Sequence, residues 1–124
     1  MKPAIAKSWA VTLGVLLLAG CGEKEISFKA DVQPILAQSC LECHSAGGTG
    51  HEKSGLLMSS YEVLLKGPRF GAIVKPGDAL TSALIMLVEG RADPSIRMPH
   101  HKDPLSKEQI GLLRSWVEQG AKNN

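Results

Sequence analysis

Residues 40–44 read Cys-Leu-Glu-Cys-His, with two thiols three positions apart and an imidazole directly after the second thiol. This C-x-x-C-H spacing is typical of covalent attachment of a c-type haem. Two thiols on one helical turn can reach the two vinyl groups of a single porphyrin, and the next residue then lies under the iron. We therefore expect one covalently bound haem c, held by Cys40 and Cys43, with His44 as an axial ligand.

The rest of the chain offers little material for a hydrophobic core. Its 124 residues allow one domain. Beyond residue 20, its aromatic side chains are Phe28, Tyr61, Phe70 and Trp116. Small domains usually need a staple or a cofactor to be stable. A large flat apolar cofactor would supply the missing core.

Composition and charge exclude several classes of protein. Hydrophobic residues make up 44% of the chain and charged residues 21%. These values exclude a disordered chain and a polytopic membrane protein. The formal net charge is +2, with no run of Lys or Arg and no aromatic platform. We therefore expect no nucleic-acid partner.

The N-terminus predicts export and lipidation. Lys2 and Lys7 accompany an apolar stretch at 9–18 that is too short to span a bilayer as a helix. Leu18-Ala19-Gly20-Cys21 is similar to the lipobox of bacterial lipoproteins. That resemblance implies cleavage before Cys21 and a diacylglycerol on its sulfur. An ordinary signal peptide followed by an incidental cysteine is the alternative.

These features predict three segments: a lipoprotein signal peptide at 1–20, a tether at 21–27 and a folded domain at 28–122. The mature protein would be lipid-anchored on the periplasmic face. Gly22 after the lipidated cysteine resembles an outer-membrane address, so we favour the outer over the inner membrane. Removing Lys2 and Lys7 leaves basic and acidic side chains in equal number, which does not indicate tight docking of a highly charged partner.

Hydrophobic periodicity predicts an all-α domain with about four short helices and no strands. The predicted helices run from Ser27 or Asp31 to Ser39, from Ser60 to Lys66, from Ala79 to Glu89, and from Ser106 to Gly120. Their predicted first-turn and capping residues are Pro34, Ser59 with Glu62, Asp78, and Ser106 with Gln109. Gly-rich residues 45–55 and Pro-rich residues 90–105 are predicted as loops.

Met98 is the leading candidate for the second axial ligand of the iron. It lies in a proline-rich loop before the last predicted helix, and a loop can bring a thioether over the second haem face. Pro99 stiffens that approach because its φ is restricted. Met58 and Met86 are alternatives, but we expect Met86 to pack within its apolar helix and Met58 to pack near the haem edge. Methionine ligation raises the reduction potential relative to two histidines.

Histidines are the alternative candidates for the second axial ligand of the iron. His100 or His101 would make a bis-histidine haem, and His51 is a weaker candidate in a polar loop. Three basic side chains could pair with the haem propionates, namely Arg69, Lys75 and Arg97.

The two cysteines also allow interpretations without haem. Cys40, Cys43, His100 and His101 could supply a four-ligand zinc site. A structural disulfide between Cys40 and Cys43 would close a very small loop. Either case would make the protein a structural lipoprotein.

The mature chain resembles the small c-type cytochrome domains first noted in planctomycete proteins, within the class I cytochrome c fold. The stretches that carry the resemblance are 28–36, 40–44, 55–56, 75–84, 98–99, 105–106 and 116–121. The resemblance implies an all-α fold of about four short helices around one covalent haem, with the first and last helices crossing beside it. It also implies His44 and Met98 as the axial ligands. His100 stands where the family usually has a second proline, which keeps the bis-histidine alternative open.

These observations predict a monohaem, membrane-anchored one-electron carrier and not an enzyme. Its expected partners are other periplasmic or membrane redox proteins, and its oligomeric state is not predicted. A haem enzyme or ligand sensor with a labile sixth position is the alternative from another functional class.

Overall fold

The computed structural model describes residues 22–124, so the predicted signal peptide and Cys21 lie outside the described residues. Within residues 22–124 the fold is built from helices without a strand, which confirms the all-α prediction. The elements are a π-helical turn (Phe28–Val32), α1 (Gln33–Ser39), α2 (Leu41–His44), α3 (Thr49–Ser54), α4 (Tyr61–Lys66), α5 (Ala83–Val88), a 3₁₀ turn (Pro94–Ile96) and α6 (Lys107–Glu118). Each helix in this range is too short or too polar to cross a bilayer.

The first helical segment begins at Phe28, as in the Ser27 alternative, so the start at Asp31 that Pro34 favoured was wrong. Ser27 Oγ accepts a hydrogen bond from the Ala30 amide at 3.1 Å, and Asp31 Oδ2 accepts one from the Ser27 amide at 2.9 Å. Pro34 cannot donate a backbone hydrogen bond, and its ring would crowd the preceding turn of a regular α-helix. The wider π-helical turn directly before α1 accommodates this ring.

The last helix, α6, has the predicted capping box. The Gln109 amide donates to Ser106 Oγ at 3.1 Å, and the Ser106 amide donates to Gln109 Oε1 at 2.9 Å. Leu113, Trp116 and Val117 form its buried face, each at 0% exposure. The local sequence signals at this helix therefore agree with the packing of the folded chain.

Three aromatic side chains join the two ends of the domain. Phe28, Tyr61 and Trp116, here called the terminal cluster, have ring centroids 5.3 to 6.5 Å apart. Trp116 Nε1 donates to the Lys122 carbonyl at 2.9 Å, and the Tyr61 hydroxyl donates to the Ala121 carbonyl at 2.8 Å. The cluster therefore buries aromatic surface without leaving these polar groups unsatisfied.

The predicted helix from Ala79 to Glu89 was too long, because its first turn is not helical. The Asp78 carboxylate accepts hydrogen bonds from the amide and the hydroxyl of Thr81, which closes a separate turn. Ser82 is fully buried, and its hydroxyl donates to the Asp78 carbonyl at 2.7 Å. The helix α5 begins only after this turn, with Ser82 as its N-cap.

The prediction of a loop throughout 45–55 was wrong, since α3 lies inside it. Gly48 is the extended N-cap, and Gly55 ends the helix in the left-handed conformation with φ 79°. A Cβ at Gly50 would lie 2.7 Å from His44 Cε1. The close approach of His44 thus leaves no room for a side chain at this position of α3, although glycine has a low helix propensity.

Two smaller differences concern the cap of α4 and the start of the packed domain. The side-chain cap of α4 is Ser60, whose Oγ accepts from the Val63 amide at 3.5 Å, rather than the predicted Ser59. Ile26, in the predicted tether, is only 7% exposed and belongs to the core. The packed part of the chain therefore begins before residue 28.

Candidate functional site

A cavity of about 480 Å³ lies among α2, α3, α5 and the loop after the 3₁₀ turn. Its volume is in the range of cofactor and ligand sites. Apolar side chains supply most of its wall, namely Leu56, Met58, Pro68, Phe70, Ile73, Ala83, Leu84, Leu87, Val88 and Ile96. The cavity is therefore suited to a large apolar group.

Both predicted attachment cysteines line this cavity. Cys40 joins α1 to α2, and its carbonyl accepts hydrogen bonds from the amides of Cys43 at 3.2 Å and His44 at 2.9 Å. This single helical turn is what brings both side chains to the same space. The two thiols are free and not joined as a disulfide.

The Cys40 thiol lies in a poorly hydrated environment. Burial raises the pKa of Cys40 to about 11, against the opposing effect of the Lys102 charge. The thiol is thus protonated at neutral pH and uncharged beside an apolar wall.

His44 lies next to the thiols and is 8% exposed. Burial lowers the pKa of His44, the Leu56 carbonyl opposes this effect, and the charge of His51 adds to it. The imidazole therefore favours its neutral form, which is the form that coordinates a metal. Its Nδ1 is buried without a hydrogen-bond partner.

Gly50 is a functional position that sequence reasoning missed. A side chain there would collide with the His44 ring, with a Cβ only 3.0 Å from Nδ1. The absence of a Cβ lets α3 cover the histidine closely. The Gly-rich character of this stretch was the available signal, but it indicated only a turn.

The loop after the 3₁₀ turn brings Met98 to the same cavity that His44 lines. Met98 is partly buried, and its amide donates to the Leu87 carbonyl at 3.3 Å, which ties the loop to the end of α5. His100 and His101 line the cavity as well, with their ring centroids 3.9 Å apart. All three predicted sixth ligands of this loop therefore share one space with His44.

The remaining candidate ligands divide into two groups. Met58 lines the cavity and is 6% exposed, as expected for a side chain that packs beside a cofactor. Met86 and His51 do not belong to the lining. Met86 is half-buried and does not belong to the core cluster, so its predicted packing role stays a prediction.

The three predicted propionate partners do not line the cavity. Arg69 donates to the Glu52 carbonyl at 3.0 Å, and Lys75 donates to a threonine hydroxyl at 3.2 Å. Arg97 is exposed beside Gly90. The cations of the lining are instead Lys53 and Lys102, which sequence reasoning did not single out.

The zinc interpretation finds no support in this geometry. Within residues 22–124, no three side chains of the His, Cys, Asp or Glu types are grouped so that they could hold one metal ion. A structural zinc site needs four such ligands. The cavity donors fit haem better, because the site combines two thiols, a neutral imidazole and a broad apolar wall.

Two apolar side chains of the lining are left uncovered by the protein itself. Phe70 is 79% exposed and Ile96 is 50% exposed, although both line the cavity. An apolar cofactor in the cavity would cover part of this surface. This incomplete packing is a second observation that fits a haem.

A family model described as Planctomycete cytochrome C matches residues 40–101, half of the chain. The matched range contains the two thiols, His44 and the Met98 loop. Comparisons with curated proteins and with solved structures found no match. Cytochrome c domains carry covalently bound haem c and usually act as electron carriers. The chain belongs to the planctomycete cytochrome C family.

Proposed function

We propose that this protein is a monohaem c-type cytochrome that works as a membrane-anchored one-electron carrier and not as an enzyme. The observation that carries the proposal is one apolar cavity lined by both the C-x-x-C-H turn and the Met98 loop. When bound, the haem iron supplies a one-electron redox couple. The protein's part is to hold the group, set its ligands and limit its hydration.

Cys40 and Cys43 hold the haem through two thioether bonds. Their common helical turn supports this role, since it directs both thiols to one cavity. Covalent attachment suits a small domain, because the cofactor then cannot leave when the fold opens locally.

His44 and Met98 are the proposed axial ligands. The pKa of His44 is lowered by burial, so the ring is available as a neutral donor. Met98 is favoured over its neighbours because it is partly buried, whereas His100 and His101 are exposed. A thioether ligand opposite a histidine raises the reduction potential.

The fold is proposed to be of the class I cytochrome c type. The packing of Phe28 against Trp116 supports the expected contact between the first and last helical segments. Phe70 and Ile96 would flank the accessible haem edge, where an electron enters or leaves.

The protein is proposed to be exported and attached by a lipid on Cys21 to the periplasmic face of a membrane, more specifically the outer membrane. The lipobox-like residues 18–21 support this location. The anchor would restrict partners to redox proteins of the same membrane and to periplasmic carriers that reach it.

The test is an optical spectrum of the full-length protein, oxidised and reduced, made together with a haem-attachment machinery. We expect a covalently bound haem and the weak far-red band of methionine bound to ferric haem. We also expect slow or no carbon monoxide binding to the reduced protein, since both axial positions are filled.

Other outcomes lead to different functions. Haem without the far-red band and without carbon monoxide binding would indicate His100 or His101 as the ligand. Rapid carbon monoxide binding would favour a haem enzyme or ligand sensor. A colourless protein would contradict the cytochrome assignment.

A further inference from the structure

The side chain of Gln119, directly after α6, forms two hydrogen bonds with the backbone of the N-terminal segment. Its Oε1 accepts a hydrogen bond from the Ile26 amide at 2.7 Å, and its Nε2 donates to the Lys24 carbonyl at 3.0 Å. One amide group therefore satisfies both a donor and an acceptor of the same short stretch. Such a two-point contact fixes the direction of the chain as well as its position.

Neighbouring contacts hold the same segment on both sides. Ile26 is 7% exposed in the core, and Lys122 Nζ lies 2.6 Å from the Glu25 carboxylate. Lys24 pairs with Asp31 at 3.3 Å. Ile26 is thus packed in the core, and the exposed side chains of Lys24 and Glu25 are paired with Asp31 and Lys122, whereas a tether of residues 21–27 was predicted.

Asn124 extends this contact towards the first helical turn. Its Oδ1 accepts from the Phe28 amide at 2.9 Å, and its Nδ2 donates to the Ile26 carbonyl at 3.3 Å. Together Gln119, Lys122 and Asn124 form what we call the N-terminal clamp. The clamp surrounds the point where the chain leaves the domain towards Cys21.

We propose that the N-terminal clamp fixes the orientation of the domain on a phospholipid membrane. The proposal rests on the lipid anchor at Cys21 proposed above. Only Gly22 and Glu23 then lie between the anchor and the clamped segment. Three Cα steps reach about 10 Å at full extension, so the clamp surface is held against the headgroups.

The clamp surface is separate from the candidate haem site. None of Gln119, Lys122, Asn124 and the segment Lys24–Ile26 belongs to the cavity lining. Phe70 and Ile96 on the cavity rim do not belong to the clamp. Contact between the clamp and the headgroups therefore does not use either of these rim side chains.

The clamp itself is tested by amide hydrogen exchange on the detergent-solubilised full-length holoprotein. We expect slow exchange at Ile26 and about 10-fold faster exchange in Gln119→Ala, since two hydrogen bonds are lost. Gln38→Ala, an exposed glutamine on α1, is the matched control and should leave Ile26 unchanged. Fast exchange at Ile26 in the unmodified chain would overturn the proposal.

The orientation is tested by polarised absorption of the haem in supported bilayers of phosphatidylethanolamine and phosphatidylglycerol. We expect a clear dichroism for the unmodified protein. Inserting eight Gly and Ser residues between Gly22 and Glu23 should abolish it, while the exchange rate at Ile26 stays the same. Equal dichroism with and without the insertion would contradict a short clamped tether.

Failure of the anchor is distinguishable from failure of the clamp. A protein found only in the soluble periplasm would refute the lipid anchor and the membrane orientation with it. A membrane-bound protein with slow exchange at Ile26 but no dichroism would leave the anchor intact and refute the fixed orientation alone.

Discussion

The terminal cluster and the wall of the cavity are packed to different degrees. At the terminal cluster, Trp116 is fully buried, and its indole N–H is paired with a carbonyl at 2.9 Å. At the cavity, Phe70 stays 79% exposed, and His44 Nδ1 is buried without a partner. The chain thus completes one core with its own side chains and leaves the other incomplete.

This difference separates what the polypeptide stabilises alone from what a cofactor must add. Protein interiors are close-packed, so a cavity of about 480 Å³ lined mainly by apolar groups has room for a large apolar cofactor. A haem bound there would add to the core on this side of the domain. Substitutions at the cavity should therefore change haem binding, whereas substitutions in the terminal cluster should change the free energy of unfolding.

Removing both thiols should have the largest effect, and it falls on the cavity side. We expect the Cys40→Ala, Cys43→Ala double variant to lose all acid-stable haem, because no thioether bond can form. The single variant Cys40→Ala should keep at most one bond and give less holoprotein. Haem staining after denaturing electrophoresis measures both.

Cys21→Ala is the matched cysteine control and should keep its haem while leaving the membrane fraction. In the double variant, Trp116 fluorescence should still report a buried indole, since the terminal cluster does not line the cavity. Normal acid-stable haem in the double variant would break the assignment of the C-x-x-C-H turn.

Trp116→Ala should have the next largest effect, on the terminal cluster. The variant removes a fully buried indole and its contact with Phe28 at 5.5 Å, so we expect a loss of about 3–5 kcal/mol in the free energy of unfolding. Urea unfolding followed by circular dichroism measures it.

Leu80→Ala is its control, because Leu80 is 63% exposed and should cost less than about 0.5 kcal/mol. If both variants lost the same small amount of unfolding free energy, the terminal cluster would not be a stable core on its own. The contrast in packing between the terminal cluster and the cavity would then disappear.

Met98→Ala should change the redox behaviour more than the stability. We expect the far-red band to vanish and the reduction potential to fall by on the order of 100 mV, a fraction of the roughly 0.8 V that axial ligands span. Spectroelectrochemical titration measures both. Met86→Ala, at a position outside the cavity lining, should keep the band and the potential.

The smallest effect is expected where the two regions meet, at Glu89. This carboxylate follows α5 and lies 2.8 Å from Arg114 on α6, and it also pairs with Arg91. Burial raises the pKa of Glu89, but the hydrogen bonds from Arg91 and Arg114 outweigh it, so the net pKa is lowered. Glu89→Gln should cost about 1 kcal/mol or less at neutral pH.

The pH dependence of this effect follows from the direction of the shift. A carboxyl whose folded pKa is depressed stabilises the fold above its unfolded pKa, and this stabilisation is lost as the pH falls through the folded value. The gap in urea midpoint between the unmodified protein and Glu89→Gln should therefore close below the ordinary glutamate pKa of 4.5. Glu52→Gln, at an exposed position, is the control and should leave the urea midpoint unchanged. An equal difference in urea midpoint for both variants would mean that the effect comes from the net charge of the protein and not from the ion pairs of Glu89.

Local signals predicted the parts of the fold that depend on neighbours in sequence. The capping box of Ser106 and Gln109 defines the start of α6 within three residues, and it is present as predicted. The Cys40–His44 turn is likewise local, because its hydrogen bonds join residues three and four apart. Such contacts join near neighbours in sequence, so residue types and spacing are enough to predict them, although their stability still depends on the folded chain.

Predictions failed where a distant or competing contact decided the outcome. The Asp78 side chain was expected to cap a helix but closes a turn with Thr81, since short polar side chains compete for nearby backbone groups. The helix α3 was missed because its Gly50 is selected by the His44 ring, not by helix propensity. Lys53 and Lys102 were missed as cavity cations because their positions depend on how α3 and the loop after the 3₁₀ turn pack around the cavity.

The order of two thiols and an imidazole, the cytochrome family and the caps of the last helix could all be predicted before any folding was considered. These features depend on spacing along the chain, which the amino-acid order gives directly. That Met98 shares a cavity with His44, and that Gln119 binds residues 24–26, is evident only in the folded chain. These contacts join segments more than fifty residues apart, so they depend on how the whole chain packs.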